Sequence, residues 1–547
     1  MRDRYSGALA AIFVFGAPEL RAQCPDGTPP PCTVARPAPS PASVAVLYLE
    51  NLSRDSSDLY LAEGITEEII ARLGKVQRLT VKSRYAVRRF RGGNGDPAML
   101  GRTLGVQHLV TGSIERAGPQ LRVRIELVAA PSARHVWGET YDRSDGDVLA
   151  IEDDIAQAVA TEVIGRLAPG ERRLLTARFT TNQAAYDHYL RGNFYLARRT
   201  SETDGRRALQ EYQAALGLDP KFTAAYGRLG FVYGLYAQWP WPYPGLTRDS
   251  LIALGFSAAN HAIAIDSATV DGWLTRGFVL TPATNAPDTW RGFQVSPGLV
   301  SGEPSCFLGL AACIREAQRS LKRAVDLDPR NAEAWYQYGR AFLLNTSGLH
   351  DEAIERSLAL DPERAVSAWL LGWSYLRQHR LPESLRMLDS AIALGRQDAS
   401  VYSLRIHARL ATGDVAGARA DLDNLHRLLA PYLPGDSIAD VAYRSLLVVA
   451  DARHGDTAAA RTRLDSLLRR YPPATIQSGT ILVNLGVALA AVGAGDEALA
   501  LLERIPPIHL WYVTRNPLWD PVATSPRFQS LARKVREAMA AATKEGQ

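Results

Sequence analysis

Leu360-Asp361-Pro362 belongs to a repeating pattern that decides the fold of most of this chain. The triplet also occurs at Leu327-Asp328-Pro329 and Leu218-Asp219-Pro220, and Leu394-Gly395-Arg396 is a degenerate copy. The copies at 327, 360 and 394 recur with a period of about 34 residues. Each follows an Ala-rich amphipathic stretch and precedes one that carries an aromatic residue, which is typical of a two-helix unit. Such a unit cannot bury its apolar face alone, so we expect neighbouring units to stack into a superhelical array.

The array is predicted to extend from about 184 to 508 and to contain about eight units. The unit at 368–396 has its small and large apolar residues at the spacing of tetratricopeptide repeats. Two units carry insertions, one near 238–250 and one at 281–308. Residues 509–547 are predicted to cap the last unit.

A different pattern precedes the repeats. Val44 to Leu49 form a short apolar run typical of a buried strand, and Leu121 to Leu127 alternate apolar and charged residues as in a half-buried strand. Helical periodicity follows the first run and closes the region at Ile151, Ile155 and Val159. For 43–170 we predict an α+β domain with the order βαβαβββα.

The same region resembles a known family. Its blocks include Glu63-Gly64-Ile65-Thr66-Glu67-Glu68-Ile69, Gly112-Ser113-Ile114-Glu115-Arg116 and Val136-Trp137-Gly138-Glu139-Thr140-Tyr141. In this order they are similar to the TolB-N-terminal-like, FlgO-like domain. In bacteria that domain commonly stands between an effector, such as an adenylate cyclase or a Ser/Thr kinase, and tetratricopeptide repeats. About 42 residues precede it here, so we expect the chain to lack such an effector.

The N-terminus has the features of an export signal. Arg2 and Arg4 precede the apolar segment 8–15, and a small-residue cleavage site lies before Gln23. We therefore expect residues 1–22 to be a signal peptide and 23–42 a Pro-rich linker. The alternative is an uncleaved, disordered start in a cytoplasmic protein.

The four cysteines form two close pairs in the sequence. In an exported protein they are possible disulfides, with Cys24 near Cys32 and Cys306 near Cys313. If Cys306 and Cys313 lay on one continuous helix they would be about 10 Å apart, so a bridge requires a turn between them.

Composition and motifs argue against catalysis and against nucleic-acid binding. The 62 basic and 57 acidic residues give a formal net charge of only +5, with both signs interspersed. No run reaches the roughly 18 apolar residues of a membrane span. Among the classic signatures we find no GxSxG, HExxH, P-loop or Rossmann pattern. We expect no enzyme, cofactor or metal, and we interpret the loop 92–95 as a turn and the acidic run 152–154 as complementing a helix dipole.

The sequence favours a non-enzymatic scaffold of the bacterial cell envelope that binds a protein or peptide in the groove of the array. Candidate contacts are aromatic residues on first helices and in the first insertion, each with a structural alternative as repeat core: Tyr226, Trp239, Trp241, Tyr243, Trp335, Tyr338 and Tyr402. The other hypothesis is a regulatory module of a separately encoded cytoplasmic cyclase, kinase or transcription regulator.

Overall fold

The computed structural model describes residues 40–55, 58–92, 95–118, 120–144, 147–198, 202–238, 243, 245–281, 310–342, 349–433 and 435–544. The predicted signal peptide and most of the predicted linker lie outside these residues. Among the described residues, no helix has both the length and the apolar character needed to cross a bilayer.

The N-terminal region contains one mixed sheet. Its strands are β1 Ser43–Val46, β2 Glu50–Asn51, β3 Thr80–Val81, β4 His108–Ala117, β5 Gln120–Ala129 and β6 Arg134–Ser144. The order is β3-β1-β4-β5-β6, with β2 paired to β4. β1 is parallel to β3 and β4, whereas β4, β5 and β6 form an antiparallel meander. The alternation predicted for β5 is present, since Leu121, Val123, Ile125 and Leu127 are buried and the intervening side chains are exposed.

Five helices accompany the sheet: α1 Leu59–Gly74, α2 Arg84–Arg88, α3 Pro97–Leu104, α4 Val148–Ile164 and α5 Pro169–Leu175. The described elements follow the predicted order, with the short β2, α2 and α5 in addition. α1 buries Tyr60 and Leu61 in its first turn and Ile65, Ile69 and Leu73 further along.

The rest of the described chain is a helical array. It comprises eight helix pairs: α6 Gln183–Arg198 with α7 Glu202–Leu218, α8 Thr223–Gln238 with α9 Arg248–Ile265, α10 Val270–Leu280 with α11 Leu310–Leu327, α12 Ala332–Arg340 with α13 Leu349–Leu360, α14 Ala365–Arg377 with α15 Leu381–Ala393, α16 Ala399–Thr412 with α17 Val415–Leu429, α18 Ser437–His454 with α19 Thr457–Arg470, and α20 Gly479–Ala491 with α21 Gly495–Leu502. Each helix packs on its partner, and each pair contacts the next one along the array. The prediction of a sheet-containing domain followed by a helical repeat array is confirmed.

The repeated Leu-Asp-Pro triplet closes the turn between one pair and the next. Asp219 accepts a hydrogen bond through Oδ1 from the backbone amide of Lys221 at 2.9 Å, and Asp328 accepts one from Arg330 at 3.1 Å. A carboxylate that caps the amide two residues later stabilises a tight turn, and proline cannot continue the preceding helix. Within a pair, Gly372 permits close packing, since a Cβ there would lie 2.7 Å from Leu388 Cγ.

The C-terminal residues return along the array. The segment 505–519 leads into α22 Asp520–Ala523 and α23 Pro526–Lys544. The Trp511 ring lies 5.7 Å from Trp373 of α14 in an edge-to-face contact, and Asn516 lies 3.0 Å from His407 of α16. Trp519 covers Gly486 of α20. The predicted cap therefore also contacts first helices well before the last pair.

Buried apolar side chains form two large clusters among the described residues. The first extends from Val44 to Ala341 and joins the sheet, α1 and α4 to the first three helix pairs. The second extends from Tyr336 to Val535 and joins the later pairs to the C-terminal segment. The α+β domain and the beginning of the array therefore share one core.

Candidate functional site

The α+β domain lies against the first helices of the array. Tyr60 of α1 donates its hydroxyl hydrogen to Asp187 Oδ1 of α6 at 2.5 Å. Gly64 of α1 also packs closely against α6, because a Cβ at this position would lie 2.9 Å from Leu190 Cδ2. The two regions are therefore in direct side-chain contact through α1 and α6.

A buried charge cluster holds this contact together. Arg72 of α1 is only 1% exposed; it pairs with Glu152 of α4 at 3.2 Å and with Asp153. Tyr186 of α6 donates to Glu152 Oε2 at 2.8 Å. Burial raises the pKa of Glu152 well above its ordinary value. The acidic run 152–154 thus has a different role from the one expected, since α4 starts at Val148 and has no acidic residue in its first turn.

A second contact lies at β3 and α2. Ser83 donates to Asp361 Oδ1 at 2.8 Å, and Arg89 pairs with Glu363 at 3.3 Å. Arg330 donates to the backbone carbonyls of Val76 at 3.3 Å and of Leu79 at 3.1 Å. Burial raises the pKa of the Asp361 carboxyl. The fourth and fifth helix pairs are therefore also tied to the α+β domain.

Between these contacts lies a cavity of about 1080 Å³. Residues of α1 and of 81–89 form one wall, and the first helices α6, α8, α10, α12 and α14, with the turns before α12, α14 and α16, form the other. Charged side chains are frequent in both walls: the basic ones are Lys82, Arg84, Arg88, Arg89, Arg228, Arg330, Arg340, Arg364 and Arg396, and the acidic ones are Glu67, Glu68, Asp271, Glu333, Asp361, Glu363 and Asp398. The cavity is suited to a polar, charged ligand.

Two arginines of this cavity are held by aromatic rings. The Arg364 guanidinium lies 5.2 Å from the ring centre of Tyr85 and 4.9 Å from that of Tyr336, and it pairs with Glu333. The Arg340 guanidinium lies 5.9 Å from the rings of both Tyr336 and Phe278. Contact with two rings restricts the orientation of a guanidinium, and its N–H groups remain available for hydrogen bonds.

The aromatic residues predicted to contact a partner are absent from the lining of this cavity wherever the structure describes them. Tyr226 stacks on His261 of α9 at 5.5 Å between ring centres. Tyr402 is 8% exposed and belongs to the second core cluster. Tyr243 packs edge-to-face on Tyr236 at 5.1 Å. These three have the contacts of repeat core, and a role in partner binding remains a prediction for them.

Trp335 and Tyr338 lie on the side of α12 that faces α11. The Trp335 indole donates to the carbonyl of Pro329 at 2.9 Å, and its ring contacts Tyr338 edge-to-face at 6.1 Å. Tyr338 is half-buried beside a shallow hollow formed by Gln318, Lys322 and Asp326. Partner binding by this pair also remains a prediction.

Several predicted residues lie outside the described residues: Trp239, Trp241, Cys24, Cys32 and Cys306. Cys313 is described; it is buried near the start of α11 and is disulfide-bonded. Within the described ranges, no group of three or more His, Cys, Asp or Glu side chains could hold a metal ion.

Tyr336 and Arg340 line the cavity but were not predicted from the sequence, although they are close to the predicted residue Trp335. Tyr336 and Arg340 are four residues apart on α12, so they share the face adjacent to that of Trp335. An aromatic residue followed by an arginine one turn later on a first helix is the signal that could have identified them. Arg228 is only two residues after Tyr226 and therefore lies on a different face of α8, so this signal would not have identified it.

Comparisons with known proteins agree with the repeat architecture. A family model described as tetratricopeptide repeat matches residues 314–365 and 446–509, so the chain contains tetratricopeptide repeats. A protein of Rhizobium meliloti (strain 1021) named "Putative adenylate cyclase 3" is 31% identical over 258 residues, which are 46% of this chain and 42% of that protein. The chain thus spans less than half the length of this relative.

Solved structures of repeat proteins also align with the chain. Pseudomonas aeruginosa pilF covers 47% of this chain and 96% of its own at 18% identity, with a TM-score of 0.34. Yeast Tom70 covers 73% of this chain and 79% of its own at 12% identity, with a TM-score of 0.33. The resemblance of 43–170 to the TolB-N-terminal-like, FlgO-like domain stays a prediction.

Proposed function

We propose that this protein is a non-enzymatic scaffold of the bacterial cell envelope, and that a protein or peptide partner binds between the α+β domain and the inner face of the array. The observation that carries the proposal is the charged cavity of about 1080 Å³ lined by first helices of successive helix pairs. The tetratricopeptide-repeat model matches part of this lining, at 314–365. Stacked repeats provide an extended surface of this kind for a polypeptide ligand.

Two features support an envelope location. The N-terminal sequence has the charged, apolar and small-residue parts of an export signal. Cys313 is disulfide-bonded, and disulfides persist mainly in oxidising compartments. Cell fractionation with N-terminal sequencing tests the location, together with thiol labelling before and after reduction. An uncleaved chain with free thiols in the cytoplasm would contradict it.

Photo-crosslinking in the native host tests the binding site. Benzoylphenylalanine replaces Arg88, which is exposed in the cavity wall, or as a control Arg461, which is exposed on the second helix α19. We expect a discrete crosslinked protein from position 88 and none from position 461. Equal products from both positions would contradict binding in the cavity. A third substitution at Trp335 tests the predicted aromatic contacts.

A second candidate function is a regulatory module of a separately encoded cyclase, kinase or transcription regulator in the cytoplasm. It is favoured by the 31% identity over 258 residues with a protein named as an adenylate cyclase. Fractionation separates the two candidates, because an exported chain cannot reach a cytoplasmic effector. A reduced cytoplasmic chain that crosslinks to such an effector would establish the second.

A further inference from the structure

Arg340 carries a buried positive charge for which the described residues provide no carboxylate partner. It is 8% exposed and lines the cavity. Its guanidinium donates to two amide oxygens, Gln337 Oε1 at 2.8 Å and Gln238 Oε1 at 3.2 Å. Both amides are in turn engaged, since Gln337 donates to Glu333 and Gln238 donates to the carbonyl of Phe278. Neutral amides orient the guanidinium but do not neutralise it.

Two other arginines of the cavity are incompletely satisfied. Among the described residues, the Nε of Arg228 has no hydrogen-bond partner, and the ion pair of its Nη2 with Asp271 is long, at 3.8 Å. The Nε of Arg364 also lacks a partner, although its Nη2 pairs with Glu333. Buried donors without acceptors are costly unless a ligand supplies the acceptors. The lining contains nine basic and seven acidic residues, so the surplus is positive.

We infer that this cavity binds an acidic peptide segment, whose carboxylates complete the hydrogen bonding of Arg228, Arg340 and Arg364. A carboxylate accepts two parallel hydrogen bonds from one guanidinium. Arg340 and Arg364 each lie within about 6 Å of two ring centres, which restricts the orientations in which they can donate. The inference rests on the proposed function and specifies the chemistry of the partner.

The positions of the arginines favour a peptide over a compact anion. Arg228 is on α8, Arg340 ends α12, and Arg364 immediately precedes α14, so they belong to the second, fourth and fifth helix pairs. Arg340 and Arg364 approach the same Tyr336 ring, at 5.9 and 4.9 Å, whereas Arg228 is three first helices away from Arg364. An extended peptide can follow successive first helices along the cavity, whereas a compact anion contacts one part of it.

The test measures binding of a fluorescein-labelled peptide of ten glutamates to the full chain by fluorescence anisotropy. A Gly-Ser peptide of the same length and dye controls for non-specific binding. We expect the glutamate peptide to bind and Arg340→Gln to weaken it by at least about tenfold, because a charge-assisted hydrogen-bond pair is lost. Arg461→Gln removes the same charge from an exposed surface position and is expected to change the affinity less than twofold.

The stability of the variants separates a binding role from a structural one. A buried charge without a counter-ion destabilises the unliganded protein, so Arg340→Gln is expected to melt at the same temperature or higher. Arg228→Gln provides an independent loss of affinity. A large drop in melting temperature for both variants would show that these arginines are structural and would overturn the inference.

The remaining outcomes also decide the question. Equal affinity of the glutamate and Gly-Ser peptides, or equal effects of Arg340→Gln and Arg461→Gln, would overturn the inference. Displacement of the peptide by ATP at concentrations below those of unlabelled peptide would indicate a nucleotide site instead. If acidic peptides fail while position 88 still crosslinks a protein in cells, the scaffold proposal stands and only the acidic class is wrong.

Discussion

His407 links the array to the C-terminal segment through a single proton-sensitive hydrogen bond. Asn516 donates through Nδ2 to Nδ1 of the imidazole, which must be unprotonated to accept. Burial lowers the pKa of His407 from 6.5 to about 4. Between these two pH values, the imidazole takes up a proton when the protein unfolds. The contribution of His407 to the free energy of unfolding is therefore complete above about pH 6.5 and is lost as the pH falls towards 4.

We predict that the stability of the protein depends on pH through His407, and that His407→Gln makes this dependence weaker. At pH 5 protonation of the unfolded chain costs the wild type about 2 kcal/mol relative to pH 7.5, and glutamine does not titrate. Urea unfolding at both pH values, followed by tryptophan fluorescence, measures the difference. The other buried histidines titrate equally in both proteins and cancel. Identical pH dependence in wild type and variant would refute this assignment.

The hydrogen-bond partners of the cavity side chains are the part of the site that could not be predicted from the sequence. The 3.6-residue periodicity of α12 indicates which face is apolar, but the partners of Arg340 include Gln238, about a hundred positions earlier in the chain. Likewise, Tyr402 is of a residue type that is common in binding sites, but it is buried in the core. Only the packing of successive pairs decides which side of a first helix faces the cavity.

Helix pairs were predictable because their signals are local. The Leu-Asp-Pro turns are contained in the sequence, and so are the Gly-Asp pairs at 413–414 and 455–456, where glycine adopts a positive φ and aspartate caps the next helix. α2 was missed because five residues are too few to show a helical period.

The third helix pair provides a prediction about close packing. A Cβ at Gly277 would lie 2.3 Å from Leu321 Cγ and 3.0 Å from the carbonyl oxygen of Ala317, so Gly277→Ala is expected to destabilise the protein by about 1–3 kcal/mol. Gly217 is also helical but has no atom within 4 Å of that position. Gly217→Ala is expected to stabilise by up to about 1 kcal/mol. Thermal unfolding of both variants checks that the two effects have opposite signs.

At the scale of the whole molecule, the division into two cores differs from the division suggested by the sequence. The sequence places the end of the α+β domain at 170 and the start of the array at 184, whereas the first core cluster continues from Val44 to Ala341. The reason is physical: α6 packs on α1, where Leu190 lies against Gly64, and its Tyr186 donates to Glu152 of α4. The period of the apolar residues indicates where helices and strands lie, but it does not indicate which of them pack into the same core.

We therefore predict that the α+β domain and the first helix pairs unfold together. Tyr189 is 5% exposed, and Tyr189→Ala is expected to cost about 3–5 kcal/mol. Hydrogen exchange should then become faster in β4, β5 and α8 alike and stay unchanged in α18 and α20. Leu446→Ala, in the second cluster, should have the opposite distribution. Acceleration confined to α6–α8 after Tyr189→Ala would contradict a shared core.

The core shared by the sheet and the first repeats has a consequence for genetics. A deletion that ends near residue 170 or begins near 184 cuts through one hydrophobic interior and exposes Tyr186 and Leu190, or the face of α1 that they cover. The phenotype of such an allele reports degradation of an unfolded chain. Point substitutions of the charged side chains in the cavity walls, which belong to neither apolar cluster, are the alleles whose phenotypes report lost binding.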